Sequence, residues 1–215
     1  MKKADVMIKN AYIITMDHDR NIISNGCIVI DKDKITAVGG GELASCYEAS
    51  RVVDAKGKFV FPGMISTHSH LFQTMLKGLG RDKLLFDWLD SSVRTALHRF
   101  DGEMCYYAAL TGCMEAIQSG TTTLLDYMYC HTSPGLSDYV TQAMEDIGIR
   151  GIYGRGFTNT ANFPPEFKVA HHDTEQDMFD DVRRLYKKYE GHSRMSVALA
   201  PGIIWQKSGA GSLYA

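Results

Sequence analysis

The strongest constraint in this chain is a change of texture at Pro62. Before it, strand-type runs stand alone: residues 6–8, 12–16, 27–30, 35–38, 52–53 and 59–61 are short, rich in β-branched and aromatic side chains, and bounded by turn residues. After it, strand signals at 63–68, 121–126, 150–154 and 195–200 alternate with helical periodicity. Parallel strands joined by helical crossovers are the arrangement that such alternation fits. The expected organisation is a small β region over 1–61, a βα region over 62–205, and a tail over 206–215 that is small, polar and aperiodic.

Local signals fill in this outline. Asp31-Lys32-Asp33-Lys34 is expected as a hairpin loop and Asn25-Gly26 as a turn before the third run. Gly39-Gly40-Gly41 is read as a turn, because no Lys-Ser/Thr follows it and no helix pattern opens there. Met104, Tyr107, Thr111, Met114 and Ile117 recur at helical spacing, as do Met178, Val182, Leu185, Tyr186 and Tyr189, and both stripes are expected in the core. Asp173 with Gln176 resembles a capping box, and helices are expected over 137–147 and 86–98.

Composition excludes some classes. In 215 residues, 23 Lys+Arg face 25 Asp+Glu, and no basic run offers a footprint for nucleic acid or an anionic membrane. No stretch reaches the roughly 18 apolar residues of a membrane span, and residues 1–6 lack the apolar core of a signal peptide. The expected setting is cytoplasmic, with the five cysteines, an odd number without C-x-x-C spacing, as reduced and mostly buried thiols.

The chemistry centres on Pro62-Gly63-Met64-Ile65-Ser66-Thr67-His68-Ser69-His70-Leu71-Phe72-Gln73. Residues i and i+2 of a strand project to one side, so His68 and His70 point together while Ser69 points away. Two imidazoles at the end of a strand can converge on one divalent ion, zinc above all and iron as the alternative. A bare H-x-H also occurs as two loop histidines, but the Pro-Gly break, the apolar strand and the switch to βα units make this one far more specific.

The stretch from Phe61 to Leu89 resembles the first barrel strand and loop of the amidohydrolase superfamily, in its branch of triazine hydrolases and nucleobase or adenosine-type deaminases. The lead-in V-V-D-A-K-G-K-F-V-F-P-G is similar to the N-terminal half of that branch's β-sandwich, and G-T-T-T-L-L-D at 120–126 and A-L-A-P-G at 198–202 extend the likeness. The resemblance implies part of a β-sandwich followed by the first four βα units of a (β/α)8 TIM-like metal-dependent hydrolase barrel. A closed barrel takes about 250 residues by itself, so the barrel is expected to be truncated. It implies a metal-activated water attacking a ring carbon that bears an amino group or another leaving group.

By the same resemblance His68 and His70 are two metal ligands, and Gln73, Trp88 and Arg155 are candidates for substrate contact, beside the alternatives of loop hydrogen bonding for Gln73, packing for Trp88 and a helix-surface ion pair for Arg155. The branch's remaining ligands and proton-handling residues follow strands five, six and eight, beyond the four strand signals found here. Asp126 and His131 are weighed as substitute ligands on the mouth side against the favoured reading of surface or packing residues, and His171-His172 is read as a solvated loop. The adenosine-type deaminases that act on thioadenosine and adenosylhomocysteine carry a ribose-binding Glu nine residues beyond the Trp. Leu97 occupies that position, which favours a free heterocycle such as a triazine or a purine or pyrimidine base. Two readings follow: the N-terminal part of a hydrolase acting on C–N bonds of cyclic amidines, or a catalytically inactive truncated product. The second includes one half of a split enzyme that needs a complementing C-terminal chain. Open sheet edges would also favour a homo-oligomer.

Overall fold

The structure is a computed structural model that describes residues 1–157 and 171–201. The expected tail over 206–215 and the end of A-L-A-P-G lie outside the described residues. The chain divides into two compact units, Met1–Gly63 and a second that begins at Met64.

The first unit is one sheet. β1 (Lys2–Ile14), β2 (Ile22–Asp31), β3 (Lys34–Gly40) and β4 (Tyr47–Asp54) lie in the order β3-β2-β1-β4, and β5 (Phe59–Val60) also pairs with β1. The two runs expected at 6–8 and 12–16 belong to the single strand β1, which passes through Asn10 at φ 58°. Asp31 to Lys34 make the β2–β3 hairpin, with Lys32 at φ 54°. Asn25-Gly26 is not a turn but lies inside β2. The chain reverses instead between β1 and β2, where Met16 and Arg20 take positive φ. Gly26 is needed there because a Cβ would stand 2.2 Å from the Ile13 side chain.

The second unit has four parallel strands in chain order, β6 (Met64–Ser69), β7 (Thr121–Met128), β8 (Arg150–Arg155) and β9 (Met195–Leu199). A 3-10 turn, Leu71–Leu76, follows β6. The expected helical insertion is α1 (Leu85–Trp88), a π-turn Leu89–Val93 and α2 (Arg94–Leu97). Then α3 (Gly102–Gln118), α4 (Leu136–Ile147) and α5 (Glu175–Lys188) make the crossovers between successive strands. Sequential strand order is that of a barrel wall; a doubly wound sheet reverses its order part-way.

The helices start and stop for local reasons. The Asp101 carboxylate accepts the Met104 N–H at the start of α3. Gly148 ends α4 at φ 79°, donating to the Met144 and Glu145 carbonyls. The capping box of α5 is Thr174 with Asp177, one residue beyond the expected pair. α3 also corrects the sequence reading of its core face. Tyr107, Met114 and Ile117 are exposed, and the buried face is Cys105, Ala108, Ala109 and Cys113. Small side chains win because α3 lies close to the turn after β6: a Cβ on Gly112 would come within 2.9 Å of Leu71 Cδ2. In α5, Met178, Leu185 and Tyr189 are buried as expected while Tyr186 is exposed.

Leu124, Met128, Tyr153 and Met195 from the sheet share one buried cluster with Cys105, Ala109, Val140, Met144 and Leu185 from the helices. The five cysteines are free thiols, four of them buried. No helix among the described residues is long and apolar enough to cross a membrane. Among those residues β6 has a strand partner on one side only, and its Met64 and Ile65 are 55% and 68% exposed. An unpaired apolar strand edge templates association. The 215-residue chain is therefore expected to self-associate with concentration in sedimentation velocity, and Ile65→Lys to shift the distribution toward monomer.

Candidate metal centre

The site grows from the end of β6. Its ladder with β7 is regular at Ser66–Leu124 but resumes only at Ser69–Asp126, three residues on one strand against two on the other. This irregularity spans Thr67 and His68 and behaves as a bulge, which re-aims the side chains beyond it. Past it, side chains take over from the backbone ladder. Ser69 Oγ donates to the Leu125 carbonyl at 2.7 Å, His70 Nδ1 meets the Tyr127 carbonyl at 2.8 Å, and the Leu71 N–H donates to Asp126 Oδ1 at 2.7 Å.

The two imidazoles meet edge-on, with ring centroids 4.9 Å apart and planes at 87°. A carbonyl can only accept, so His70 Nδ1 carries the proton and Nε2 keeps its lone pair. Burial holds the His70 pKa below its usual value; the Tyr127 carbonyl opposes the shift and His68 adds to it. Tyr127 and Tyr129 pack their rings 5.4 and 5.5 Å from His70. Gln73 reaches this group through its amide, which donates to the Tyr129 hydroxyl at 2.6 Å.

The other expected site residues lie elsewhere. Trp88 is half-buried against the core, with its indole over Gly80, where a Cβ would stand 2.8 Å from Cδ1. Arg155 is 3% exposed. Its guanidinium forks onto Asp173 at 2.7 and 2.8 Å, donates to Asp181 at 2.9 Å, and also bonds the Gly156 carbonyl. These contacts make Arg155 an ion-pair anchor between the end of β8 and the start of α5, the alternative weighed beside a substrate contact.

Asp126 is buried, as the packing reading favoured for it expects. Along β7 it alternates with Leu125 and Tyr127, and it is buried like Leu124 and Met128 on the side covered by helices. Its Oδ2 has no hydrogen-bond partner, and burial pushes the carboxyl up to about 7 against the single bond from the Leu71 amide.

His131 is buried, with Nε2 3.2 Å from the Met128 carbonyl, and burial, then the charge of Arg155, holds its pKa well below the usual value. It lines a cavity of about 270 Å³ with Arg155, His171, Asp173 and Asp181. His171, Asp173 and Asp177 bring ligand-type atoms within 4.8 Å of one another. Asp173 is already engaged by Arg155, and Asp177 accepts from the Thr174 N–H and hydroxyl. Among the described residues no third such side chain joins His68 and His70. The tyrosines around His70 escaped the sequence reading; their signal was parity, since Tyr127 lies one residue from Asp126 on a strand.

The Amidohydrolase family model matches residues 59–210. The chain belongs to the amidohydrolase family. This amidohydrolase chain is 30% identical over 187 residues to the 5-methylthioadenosine/S-adenosylhomocysteine deaminase of Bacillus cereus (strain AH820), covering 86% of itself and 40% of that protein. Among solved structures it is similar to an adenosine deaminase from Xanthomonas campestris with bound zinc, with a TM-score of 0.79 at 19% identity, covering 93% of this chain and 43% of that one. It is also similar to the atrazine chlorohydrolase from Arthrobacter aurescens TC1 complexed with zinc, with a TM-score of 0.75 at 21% identity, covering 94% and 48%. The chain thus spans less than half the length of these relatives, and the fold is that of the first four strands of their TIM barrel.

Two outcomes follow from the buried charges. Arg155→Met strands Asp173 in the core and is expected to cost about 3–5 kcal/mol in urea unfolding, while zinc affinity at the imidazole pair stays unchanged. Asp126 is easier to protonate folded, at about 7, than unfolded, near 3.8. Its folded state therefore holds the extra proton between those values, so stability falls as pH rises from about 4 to about 7 and is level above. Across that window the difference in unfolding free energy between wild type and Asp126→Asn is expected to change by a few kcal/mol.

Proposed function

We propose that the chain provides the first-strand part of the metal site of a hydrolase that removes an amino group, or another leaving group such as chloride, from a nitrogen heterocycle. The observation that carries this reading is the His68–His70 pair, with rings 4.9 Å apart and the His70 Nε2 lone pair left uncommitted by the Tyr127 carbonyl. Neutral imidazole nitrogens suit zinc, with iron as the alternative. Zinc also accompanies the adenosine deaminase and chlorohydrolase whose fold is similar. When bound, the ion supplies Lewis acidity and lowers the pKa of a coordinated water to near 7.

This chain's own groups do the holding. His68 and His70 would hold the ion, the Tyr127 carbonyl fixes the orientation of His70, and the Tyr127 and Tyr129 rings pack against the His70 ring. Gln73, tethered to Tyr129, is the group we assign to the substrate edge. A catalytic zinc takes three protein ligands and keeps an open position, so two imidazoles need further ligands. We assign these to polypeptide that continues the barrel, in the same protein or in a companion chain. The free thiols fit a reducing, cytoplasmic setting.

Two substrate readings remain in play. Leu97, where the nucleoside enzymes of the family carry a ribose-binding Glu, is 2% exposed and packed in the core, which supports a free heterocycle such as a triazine or nucleobase. The 30% identity to the methylthioadenosine deaminase favours a nucleoside. Titration of the metal-free chain with Zn²⁺ is expected to show one site, weakened at least tenfold by His68→Ala or His70→Ala. Binding unaffected by both substitutions overturns the reading. The 215-residue chain alone is expected to turn over neither atrazine nor guanine, and zinc-dependent turnover by it would show that two imidazoles suffice.

A further inference from the structure

The end of β6 is held by a carboxylate that a packing role does not explain. Asp126 is fully buried, with Oδ2 lacking a hydrogen-bond partner, in a layer it shares with Leu124, Met128, Cys105, Cys113 and, across the ladder, Tyr153. An unsatisfied buried oxygen costs stability that an apolar side chain of similar shape would not. Its one bond goes to the amide of Leu71, the residue directly after His70, at 2.7 Å. That amide opens the 3-10 turn Leu71–Leu76 beyond the bulge, where the regular β6–β7 ladder has given way to side-chain bonds.

We propose that Asp126 is a positioning residue for the metal pair: by accepting the Leu71 N–H from behind the sheet, it locks the kinked strand end that presents the His68 and His70 rings to one ion. The inference rests on the metal reading of those histidines and adds to it a residue on the opposite face of the sheet. The chain of contact is short. Asp126 fixes Leu71, Leu71 fixes the exit of His70, and the exit sets the approach of His70 Nδ1 to the Tyr127 carbonyl, which selects Nε2 as ligand atom. Because Asp126 and Tyr127 are consecutive on β7, both anchors of the His70 turn come from one rigid dipeptide.

The test compares wild type with Asp126→Asn, which keeps an acceptor for the amide, and Asp126→Leu, which keeps the approximate shape without one. In the metal-free chain, long-range ¹⁵N–¹H spectra report the His70 tautomer and amide exchange reports Leu71. Wild type and Asp126→Asn are expected to hold one Nδ1–H tautomer and a protected Leu71 amide; Asp126→Leu is expected to lose both while its near-ultraviolet dichroism stays native. Zn²⁺ affinity should then fall 10- to 100-fold in Asp126→Leu and within about threefold of wild type in Asp126→Asn.

A folded Asp126→Leu chain with unchanged tautomer, amide protection and zinc affinity overturns the inference. Should Asp126→Leu fail to fold, the wild-type scalar coupling between the Leu71 nitrogen and the Asp126 carboxyl carbon decides: its presence, with zinc affinity kept in Asp126→Asn, supports the assignment, and its absence overturns it. Failure of the metal reading looks different. There, wild type and His68→Ala bind zinc alike, whatever Asp126 does to the His70 tautomer.

Discussion

The second unit depends on one constraint: a parallel strand sends alternate side chains to opposite faces, and only one of those faces is covered by helices. On β7 the covered side takes Leu124, Asp126 and Met128, and the other takes Leu125 and Tyr127. The helices over the covered face press closely enough that a Cβ on Gly112 of α3 would stand 2.8 Å from Thr74 Oγ1 and 2.9 Å from Leu71 Cδ2. That pressure reaches the imidazole pair through the residue next to His70. Core packing and site geometry are therefore one problem here: the turn that aims His70 is also a piece of the hydrophobic layer.

What was legible in the sequence was what local rules decide. The β-then-βα organisation, the four parallel strands and the H-x-H at the first strand end follow from runs of β-branched residues, helical spacing and a two-residue period. The errors came where tertiary contact overrides the local pattern. Asn25-Gly26 carries a turn signature, yet the reversal falls at Met16 to Arg20 because Gly26 is used for close approach to Ile13. The Met and Tyr stripe of α3 is the larger apolar set, but a tight interface selects the small set Cys105, Ala108, Ala109 and Cys113.

Arg155 and Asp126 show what chain order alone leaves open at the level of chemistry. Both stand at strand ends, where a barrel enzyme keeps its reactive groups, and both belong to the covered side. Which side a strand-end residue faces depends on register, and register depends on partners that no single segment carries. Family likeness transfers a position along the chain more safely than a direction in space. The arginine in Y-G-R-G-F is where the resemblance put it, and its guanidinium is held by Asp173 and Asp181.

Among the described residues, the His68–His70 pair and the His171, Asp173 and Asp177 group both bring ligand-type side chains together, and the state of their lone pairs separates them. His171, Asp173 and Asp177 are close enough to share an ion, but Arg155 and Thr174 already engage the two carboxylates, so a cation would have to displace a buried guanidinium from its bidentate partner. The His68 ring makes no hydrogen bond to the described residues, and His70 uses one nitrogen to orient the other. An ion arriving there breaks no hydrogen bond among the described residues. Proximity of donor atoms is thus a weak criterion for a metal centre, and uncommitted lone pairs on a braced backbone are a strong one; of these two groupings among the described residues, the first-strand pair meets the second.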